Sequence, residues 1–135
     1  MLAAPLIAGN DVRKMSGTSK DILTNKEVIA VDQDEARIEG FLYKTIDSIE
    51  VYVKPLSENN WSICFLNRSA ETKNINFNWQ DEVISDTIFN RSLDAKKVNY
   101  QLRNLWKNVN VGNTKDPFKK QIDSHNVVML KLSEK

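Results

Sequence analysis

The apolar residues after residue 40 recur at every second position in four segments of the chain, residues 49–54, 74–79, 97–106 and 126–133. A period of two is the spacing of side chains along one face of a β-strand, whereas a helix repeats every three to four residues. The alternating apolar positions hold Ile49, Val51, Val53, Ile75, Phe77, Trp79, Val98, Tyr100, Leu102, Val128, Leu130 and Leu132. We therefore expect strands with one buried face and one face in water.

Short segments of turn-forming residues separate these strands, at residues 47–48, 58–60, 69–71, 112–113 and 123–124. The apolar residues 61–66 predict a further, fully buried strand that carries Cys64 as a core thiol. Residues 80–95 show no clean period, and we interpret them as a long connection with a short strand at residues 87–89. Short strands between such turns predict an antiparallel β-sandwich over residues 41–135.

Residues 1–40 follow a different pattern. The apolar run of residues 4–8, ended by Gly9 and Asn10, predicts a buried strand rather than a signal peptide, because no basic region precedes it. Residues 16–34 predict a short helix that Asn25 ends, followed by another turn or two of helix. A buried strand followed by a helix is one unit of a parallel sheet, and such a strand must be covered on both faces. We interpret this part as the edge of a larger α/β structure.

Composition and charge exclude several classes of site. The 135 residues include 19 Lys and Arg and 18 Asp and Glu, and the formal net charge of +1 gives no electrostatic reason to expect nucleic acid or an anionic membrane as partner. No apolar stretch reaches the length of a membrane span. Cys64 is the single cysteine and His125 the single histidine, so we expect no disulfide, no catalytic triad, no metal site and no cofactor.

Several sequence blocks resemble glycoside hydrolase family 27, which contains α-galactosidases and α-N-acetylgalactosaminidases. The blocks are "APLIAGNDVR", "ILTNKEVIAVDQD", "VYVKPL", "CFLNRS", "LRNLW" and "HNVVMLKL", and they occur in the family's order over nearly the whole chain. The second block is similar to the family segment N-K-E-V-I-A-[IV]-N-Q-D. The family's continuation Pro-Leu-Gly reads Glu35, Ala36 and Arg37 here, which predicts an altered exit from the helix.

The resemblance implies the C-terminal part of an α-galactosidase-like enzyme. It implies a remnant of the last strand and helix of a (β/α)8 barrel over residues 1–40, followed by an antiparallel Greek-key β-sandwich over residues 41–135. A complete barrel needs about 250 residues. The implied partner of the sandwich is the barrel, the implied substrate of the parent is a terminal α-galactoside or α-N-acetylgalactosaminide, and the parent is expected to be secreted or periplasmic.

Candidate catalytic residues are missing from the sequence. A retaining glycosidase needs two carboxyl groups about 5–5.5 Å apart, and the family's K-[YF]-D and W-N-D-P-D-M motifs are absent here. We therefore expect no catalytic residue and no activity of this chain alone. Asp11 is a weak substrate-binding candidate that the resemblance places near the barrel mouth, where it would support the sugar pocket. The favoured alternative for Asp11 is a structural pair with Arg13 or a helix cap.

Other acidic residues have simpler interpretations. Asp32, Asp34 and Glu35 are typical of a solvated helix end. Asp81 and Glu82 follow Trp79, and adjacent acids in a turn are more often plain loop residues than sugar ligands.

The aromatic residues leave a second function open. Trp61, Trp79 and Trp106 are expected in the core, but an exposed cluster of them would support an autonomous carbohydrate- or protein-binding module. Asn60, Asn67 and Asn90 lie in N-x-[ST] sequons, which we interpret as unmodified turn residues.

Overall fold

Two short helices and ten strands, in that order, make up the regular structure of the part of the chain that the computed structural model describes, residues 1–7, 9 and 11–135. The helices are α1 (Gly17–Leu23) and α2 (Lys26–Asp32), and 3₁₀ turns occur at Val12–Lys14 and Trp79–Asp81. The strands are β1 (Phe41–Ile46), β2 (Ile49–Pro55), β3 (Trp61–Asn67), β4 (Lys73–Phe77), β5 (Val83–Asp86), β6 (Arg91–Asp94), β7 (Tyr100–Asn104), β8 (Val109–Asn113), β9 (Phe118–Ile122) and β10 (Val127–Glu134).

Six strands form one antiparallel sheet in the order β1-β2-β3-β10-β7-β8. Strands β4 and β9 pair with each other, and so do β5 and β6, each pair again antiparallel. The last strand, β10, lies in the middle of the large sheet between β3 and β7, while β4 and β9 pair outside it. The chain therefore leaves the large sheet after β3, returns to it for β7 and β8, and leaves it again for β9 before β10 ends it, as in a Greek key. The expected antiparallel sandwich is confirmed.

The main core lies between the large sheet and the two strand pairs. Phe65 of the large sheet contacts Phe77 of β4 and Phe118 of β9, with ring centroids 5.4 Å apart in both pairs. Trp79 packs edge-on against Phe77 at 4.9 Å and is fully buried. The alternating positions are confirmed as core residues in all four segments, apart from Val98, which is half-buried against the same core.

The helical prediction for residues 16–34 is confirmed as two helices. The side chain of Ser16 accepts a hydrogen bond from the Ser19 N–H at 3.1 Å and so caps α1. Asn25 separates the helices and caps α2, because its Oδ1 accepts from the N–H groups of Glu27 and Val28 at 3.0 and 3.1 Å. Both caps satisfy backbone donors that the first turn of a helix leaves free.

The predicted N-terminal strand is not formed. Residues 1–7 and 9 belong to no strand, and Ala8 and Asn10 of the predicted run lie outside the described residues. A parallel strand needs neighbouring strands for its hydrogen bonds, and the described residues offer none beside this run. The start of the chain instead lies on the sandwich, where the Met1 carbonyl accepts a hydrogen bond from the Gly40 N–H at 3.0 Å.

Two local predictions in the sandwich are wrong. Residues 87–89 form the turn of the β5–β6 hairpin rather than a strand, and Ile88 and Phe89 at its tip are 84% and 52% exposed. Gly112 lies within β8 rather than in a turn. Gly112 has a φ of 112° and lies opposite the point where the β7–β8 register shifts, between Gln101 and Arg103. The glycine therefore allows an irregular backbone conformation inside the strand.

The connection from α2 to β1 contains a left-handed residue. Arg37 has a φ of 53°, and its N–H donates to the Asp34 carbonyl at 3.0 Å, which closes a turn. Glycine adopts this conformation without strain, whereas residues with a Cβ do so at a cost. Arg37 stands where the resembling family segment has glycine, so the turn forms despite the altered sequence.

Candidate functional site

The outer face of the large sheet, turned away from the main core, carries the N-terminal segment. We call the contacts between residues 1–34 and the sandwich the segment–sheet contact. Its apolar centre is formed by Val31 of α2 with Leu56, Leu105 and Met129 of the sandwich, each at most 5% exposed. Met1, Val28 and Trp106 pack around this cluster. The cluster makes the segment and the sandwich one packed unit, since apolar burial is the main stabilising term in such contacts.

An ion pair closes one side of the segment–sheet contact. Arg103 on β7 donates to both carboxylate oxygens of Glu27 on α2, from Nε at 2.7 Å and from Nη2 at 2.5 Å. This two-point geometry matches the planar guanidinium to the carboxylate. The hydrogen bond from Arg103 lowers the pKa of Glu27, and the same bond raises the pKa of Arg103.

Two polar links continue the segment–sheet contact. Asn25 caps α2 with its oxygen and donates from Nδ2 to the Leu105 carbonyl at 3.0 Å, so one side chain ties the helix to the sandwich. Asp34 accepts from both the N–H and the hydroxyl of Ser57, each at 2.8 Å. Asp34 is therefore a structural anchor, and the interpretation of residues 32–35 as a freely solvated helix end does not hold for it.

Lys54 contradicts the expectation that the outer face of β2 is exposed to solvent. Alternation places it opposite Val53 on the outer face, yet it is fully buried because residues 1–34 cover that face. Its Nζ donates to the carbonyls of Leu2 and Asp32, both at 3.3 Å. Burial lowers the pKa of Lys54, and nearby carboxylates, that of Asp32 first, oppose part of this effect. The ammonium thus satisfies the last carbonyl of α2 and holds the start of the chain.

Cys64 lies on the same outer face and is buried. Burial raises the pKa of its thiol to about 11, because an apolar environment disfavours the thiolate. The thiol is therefore in its unreactive, protonated form near neutral pH, in line with the interpretation of Cys64 as a core residue.

Asp11 is exposed and paired within its own turn. Its Oδ1 accepts from the backbone N–H of Arg13 at 3.1 Å and from Nε of Arg13 at 2.9 Å. The hydrogen bonds from Arg13 lower the pKa of Asp11. This is the structural pair that the sequence offered as the alternative, and a role for Asp11 beside a sugar pocket stays a prediction.

The acids after Trp79 have structural partners. Glu82 accepts from the hydroxyl of Tyr43 at 2.6 Å and from the ammonium of Lys44, which fixes β1 against the loop before β5. Burial and the hydrogen bond to Glu82 raise the pKa of Tyr43 to about 12. Asp81 accepts from the side chain of Asn78 at 2.6 Å. Neither carboxylate faces a second acid across a cleft in these contacts.

The three tryptophans separate into two groups. Trp61 and Trp79 are fully buried in the main core, as expected. Trp106 is half-buried and lines two surface grooves beside α1. Within residues 1–7, 9 and 11–135 there is therefore no exposed tryptophan cluster of the kind that the alternative function would need, but the ring of Trp106 is partly accessible.

The sequons and the histidine lie in turns or strand ends. Asn67 is fully buried, and its Nδ2 donates to the carbonyls of Glu71, Ile122 and Asp123 at 2.7–3.1 Å. That side chain is inaccessible to a modifying enzyme in the folded chain. Asn90 is exposed, and Asn60 is half-buried. His125 is exposed in the turn before β10.

Residues 1–7, 9 and 11–135 form neither a candidate metal-binding cluster nor a helix that could span a membrane. No group of three or more His, Cys, Asp or Glu side chains among these residues is placed to hold a metal ion. None of the helices formed by these residues is both long and apolar enough to cross a membrane.

Sequence reasoning missed the main residues of the segment–sheet contact. Glu27 and Arg103 are ordinary surface charges by pattern, and Lys54 falls on the predicted solvent face. The one available signal was Met129, an apolar residue out of phase with Val128 and Leu130. An apolar residue on the predicted solvent face indicates that something covers that face.

The antiparallel sandwich, with a helical segment packed on the outer face of its large sheet, defines the class of this protein as a β-sandwich domain. Residues 46–132 match the family described as "Alpha galactosidase C-terminal beta sandwich domain", and residues 1–34 match "Alpha galactosidase A". The chain belongs to the family of α-galactosidase C-terminal β-sandwich domains and corresponds to the C-terminal part of a family 27 α-galactosidase-like enzyme.

Similar proteins extend well beyond this chain. It is 37% identical over 132 residues to α-galactosidase A of Cellvibrio japonicus, a match that covers 98% of this chain and 32% of that protein. It is 31% identical over 130 residues to the α-galactosidase of Cyamopsis tetragonoloba, covering 96% and 29%. The crystal structure of α-galactosidase I from Mortierella vinacea superposes with a TM-score of 0.77 at 27% identity, covering 96% and 32%. The chain thus spans about a third of the length of these relatives.

Proposed function

We propose that this chain serves as the non-catalytic C-terminal domain of an α-galactosidase-like retaining glycosidase and has no hydrolytic activity of its own. In this proposal residues 1–40 complete the last unit of a (β/α)8 barrel, and residues 41–135 cover the outside of that barrel. The parent would act on terminal α-galactosyl or α-N-acetylgalactosaminyl groups, and the proposed location of the parent is secreted or periplasmic.

The segment–sheet contact is the observation that carries this proposal. The residues of α2 that pack on the sandwich belong to the part of the chain that matches "Alpha galactosidase A". The surface beneath them belongs to the part that matches the sandwich domain. A buried apolar cluster, an ion pair and a buried lysine at this junction are what a fixed joint between two domains requires.

Four carboxylates of the described residues have structural partners, which supports the absence of activity. Glu82 and Glu27 are engaged by cations, Asp34 by Ser57 and Asp11 by Arg13. Each of these carboxylates is already used in a structural contact. Retaining hydrolysis requires two carboxyl groups facing the same sugar, and these contacts provide no such pair.

A chimera tests the domain assignment. The matched C-terminal third of the Cellvibrio japonicus α-galactosidase A would be replaced by this chain, and hydrolysis of an aryl α-galactoside would be measured. We expect an active enzyme, because this chain supplies both the sandwich and the last barrel unit, and the contact between them is unchanged. The same chimera carrying Val31→Asp should lose activity or thermal stability, while Ala30→Asp on the exposed side of α2 should not.

Two results would contradict the proposal. The first is a folded but inactive chimera, as judged by circular dichroism and gel filtration. The second is turnover of the aryl α-galactoside by this chain alone, above the rate of a buffer blank. The two measurements test the barrel joint and the missing catalytic groups separately.

A further inference from the structure

A surface groove lies between the N-terminal segment and the end of the sandwich. Ile22 of α1 forms one side, and residues of β9 and β10 form the other. Its volume of about 630 Å³ falls within the range of about 300–1,000 Å³ that is typical of small-molecule sites. The groove contains none of the four residues Val31, Leu56, Leu105 and Met129, although Trp106, which lines the groove, packs against their cluster.

Trp106 gives the groove a flat apolar surface. Its ring is half-exposed and lines the groove, while its Nε1 is buried and has no hydrogen-bond partner in the described structure. The carbon face of the indole is therefore the part that a ligand can reach. Because Trp61 and Trp79 are fully buried, Trp106 is the tryptophan of this chain that can form a stacking contact.

Asn104 supplies a fixed amide beside this ring. It is only 7% exposed, and its Oδ1 accepts from the backbone N–H groups of Trp106 and Lys107 at 3.1 and 3.0 Å. Its Nδ2 has no hydrogen-bond acceptor among residues 1–7, 9 and 11–135. Two backbone donors hold the amide in place, which leaves one immobilised donor at the edge of the groove.

Exposed polar side chains surround the opening. Lys107, Lys120, Gln121, Asp123 and Asn126 line it, and they offer donors and acceptors in close proximity. The carboxylate of Asp123 repels an anionic ligand, while the ammonium groups of the two lysines repel a cationic one. The rim therefore combines charges of both signs with the amides of Gln121 and Asn126, and this set of donors and acceptors can bind a ligand that presents many hydroxyl groups.

We propose that this groove binds a hexopyranose unit of a neutral oligosaccharide, with one sugar face on the Trp106 ring. A pyranose has an apolar C–H face and a circumference of hydroxyls that donate and accept hydrogen bonds. An indole face bordered by amides, lysines and a carboxylate complements both properties. The site would hold carbohydrate at the end of the sandwich and take no part in bond cleavage, so it goes beyond the proposed domain function and does not depend on it.

Amide shifts of the full chain test the proposal directly. The ¹⁵N-labelled chain would be titrated with galactose and with raffinose, and glycerol would serve as the polyol control. We expect saturable shifts with a Kd of about 10 mM or tighter, confined to residues 104–107, 120–123 and 126–128. The absence of saturation at concentrations about tenfold higher would overturn the proposal, as would shifts centred on another surface or an equal response to glycerol.

Variants assign the binding to the groove. Trp106→Ala should abolish the shifts, whereas Trp106→Tyr should retain binding within about threefold because it keeps a flat ring. Phe89→Ala, an exposed aromatic on the β5–β6 hairpin tip, is the matched control and should bind normally.

Two rim variants decide the outcome if Trp106→Ala fails to fold. Gln121→Ala and Asp123→Asn change exposed side chains, and each should weaken binding about threefold or more. Unchanged affinity in both would overturn the proposal. Activity of the chimera described above does not require the groove, so failure of one proposal leaves the other distinguishable.

Discussion

The carboxylate of Glu27 on α2 and the guanidinium of Arg103 on β7 form a two-point ion pair although they are 76 positions apart in the sequence. The pair lies at the edge of the apolar cluster around Val31 and Leu105. It therefore fixes the direction in which α2 crosses the sheet, while the apolar residues supply most of the stabilisation.

The ion pair should contribute a small, salt-sensitive and pH-sensitive stabilisation. Glu27→Gln and Arg103→Gln should each lower the melting temperature slightly, and the double variant should lose less than the sum. Because Arg103 lowers the pKa of Glu27 in the folded state, the contribution is present above the unfolded carboxyl's pKa. It disappears as the pH falls through the folded value. Melting curves of all four proteins at low and high salt measure this, with Lys119→Gln at an exposed position of β9 as the control for a charge outside the contact. If the double variant lost as much stability as the two single variants together, the prediction would be contradicted.

Val31→Asp should release the N-terminal segment without unfolding the sandwich. Val31 is 2% exposed, and placing a carboxylate there leaves an unpaired charge in an apolar cluster at a cost of about 3 kcal/mol or more. Hydrogen exchange should show loss of protection in α2 and persistence in β3 and β10. Ala30→Asp, at the neighbouring exposed position, should show the same hydrogen exchange as the unmodified chain. Loss of protection throughout the sandwich would show that the two parts unfold together.

Cys64 should weaken the fold at alkaline pH. The buried thiol has a pKa of about 11, whereas an unfolded cysteine ionises at about pH 8.5. Between these values the unfolded chain loses a proton that the folded chain keeps. Stability therefore falls as the pH rises through this window, by about 3 kcal/mol in total. Urea unfolding of the unmodified chain and of Cys64→Ala, each at about pH 8 and about pH 10.5, measures how far the free energy of unfolding falls with pH in each protein. An equal slope in both proteins would refute the assignment to Cys64.

Asn67 should be a stability residue rather than a glycan acceptor. Its Nδ2 donates to three carbonyls, and its Oδ1 accepts from the N–H and hydroxyl of Ser69. Asn67→Ala leaves these groups without partners and should cost about 2–4 kcal/mol. Asn76→Ala on the exposed face of β4 is the control and should change stability by less than about 0.5 kcal/mol. Chemical denaturation gives both values, and a near-neutral Asn67→Ala would contradict the prediction.

Arg37→Gly should stabilise the chain. Arg37 has a φ of 53°, a conformation that costs a residue with a Cβ about 1 kcal/mol relative to glycine. Removing that strain should raise the midpoint of urea denaturation. Arg37→Ala removes the same charge but keeps the Cβ, so it should show no comparable gain. Equal effects of the two substitutions would show that charge rather than backbone strain matters here.

The clearest strands were predictable because apolar residues recur at every second position over five or more residues, although β10 also carries Met129 out of phase. In β2, β4, β7 and β10 the residues that alternate in the sequence are those buried in the main core. The caps of the two helices were equally local, since Ser16 and Asn25 act within their own turns.

Weaker strands escaped prediction because their side chains carry little local pattern. β5 and β6 have four residues each, and β8 exposes most of its side chains, including Val109 and Val111. Their pairing comes from the hairpin geometry and from neighbours that are distant in sequence. Residues 4–7 form no strand in this structure for the complementary reason, since a buried strand also needs partners on either side.

By itself, the amino-acid sequence determined the antiparallel sandwich, its main core and the two N-terminal helices. The tertiary structure alone decided that the second face of the large sheet is covered, that Lys54 and Cys64 are buried there, and that Glu27 meets Arg103. The physical reason is that a local period reports which residues share a face. Burial of the opposite face depends on which distant segment packs on it.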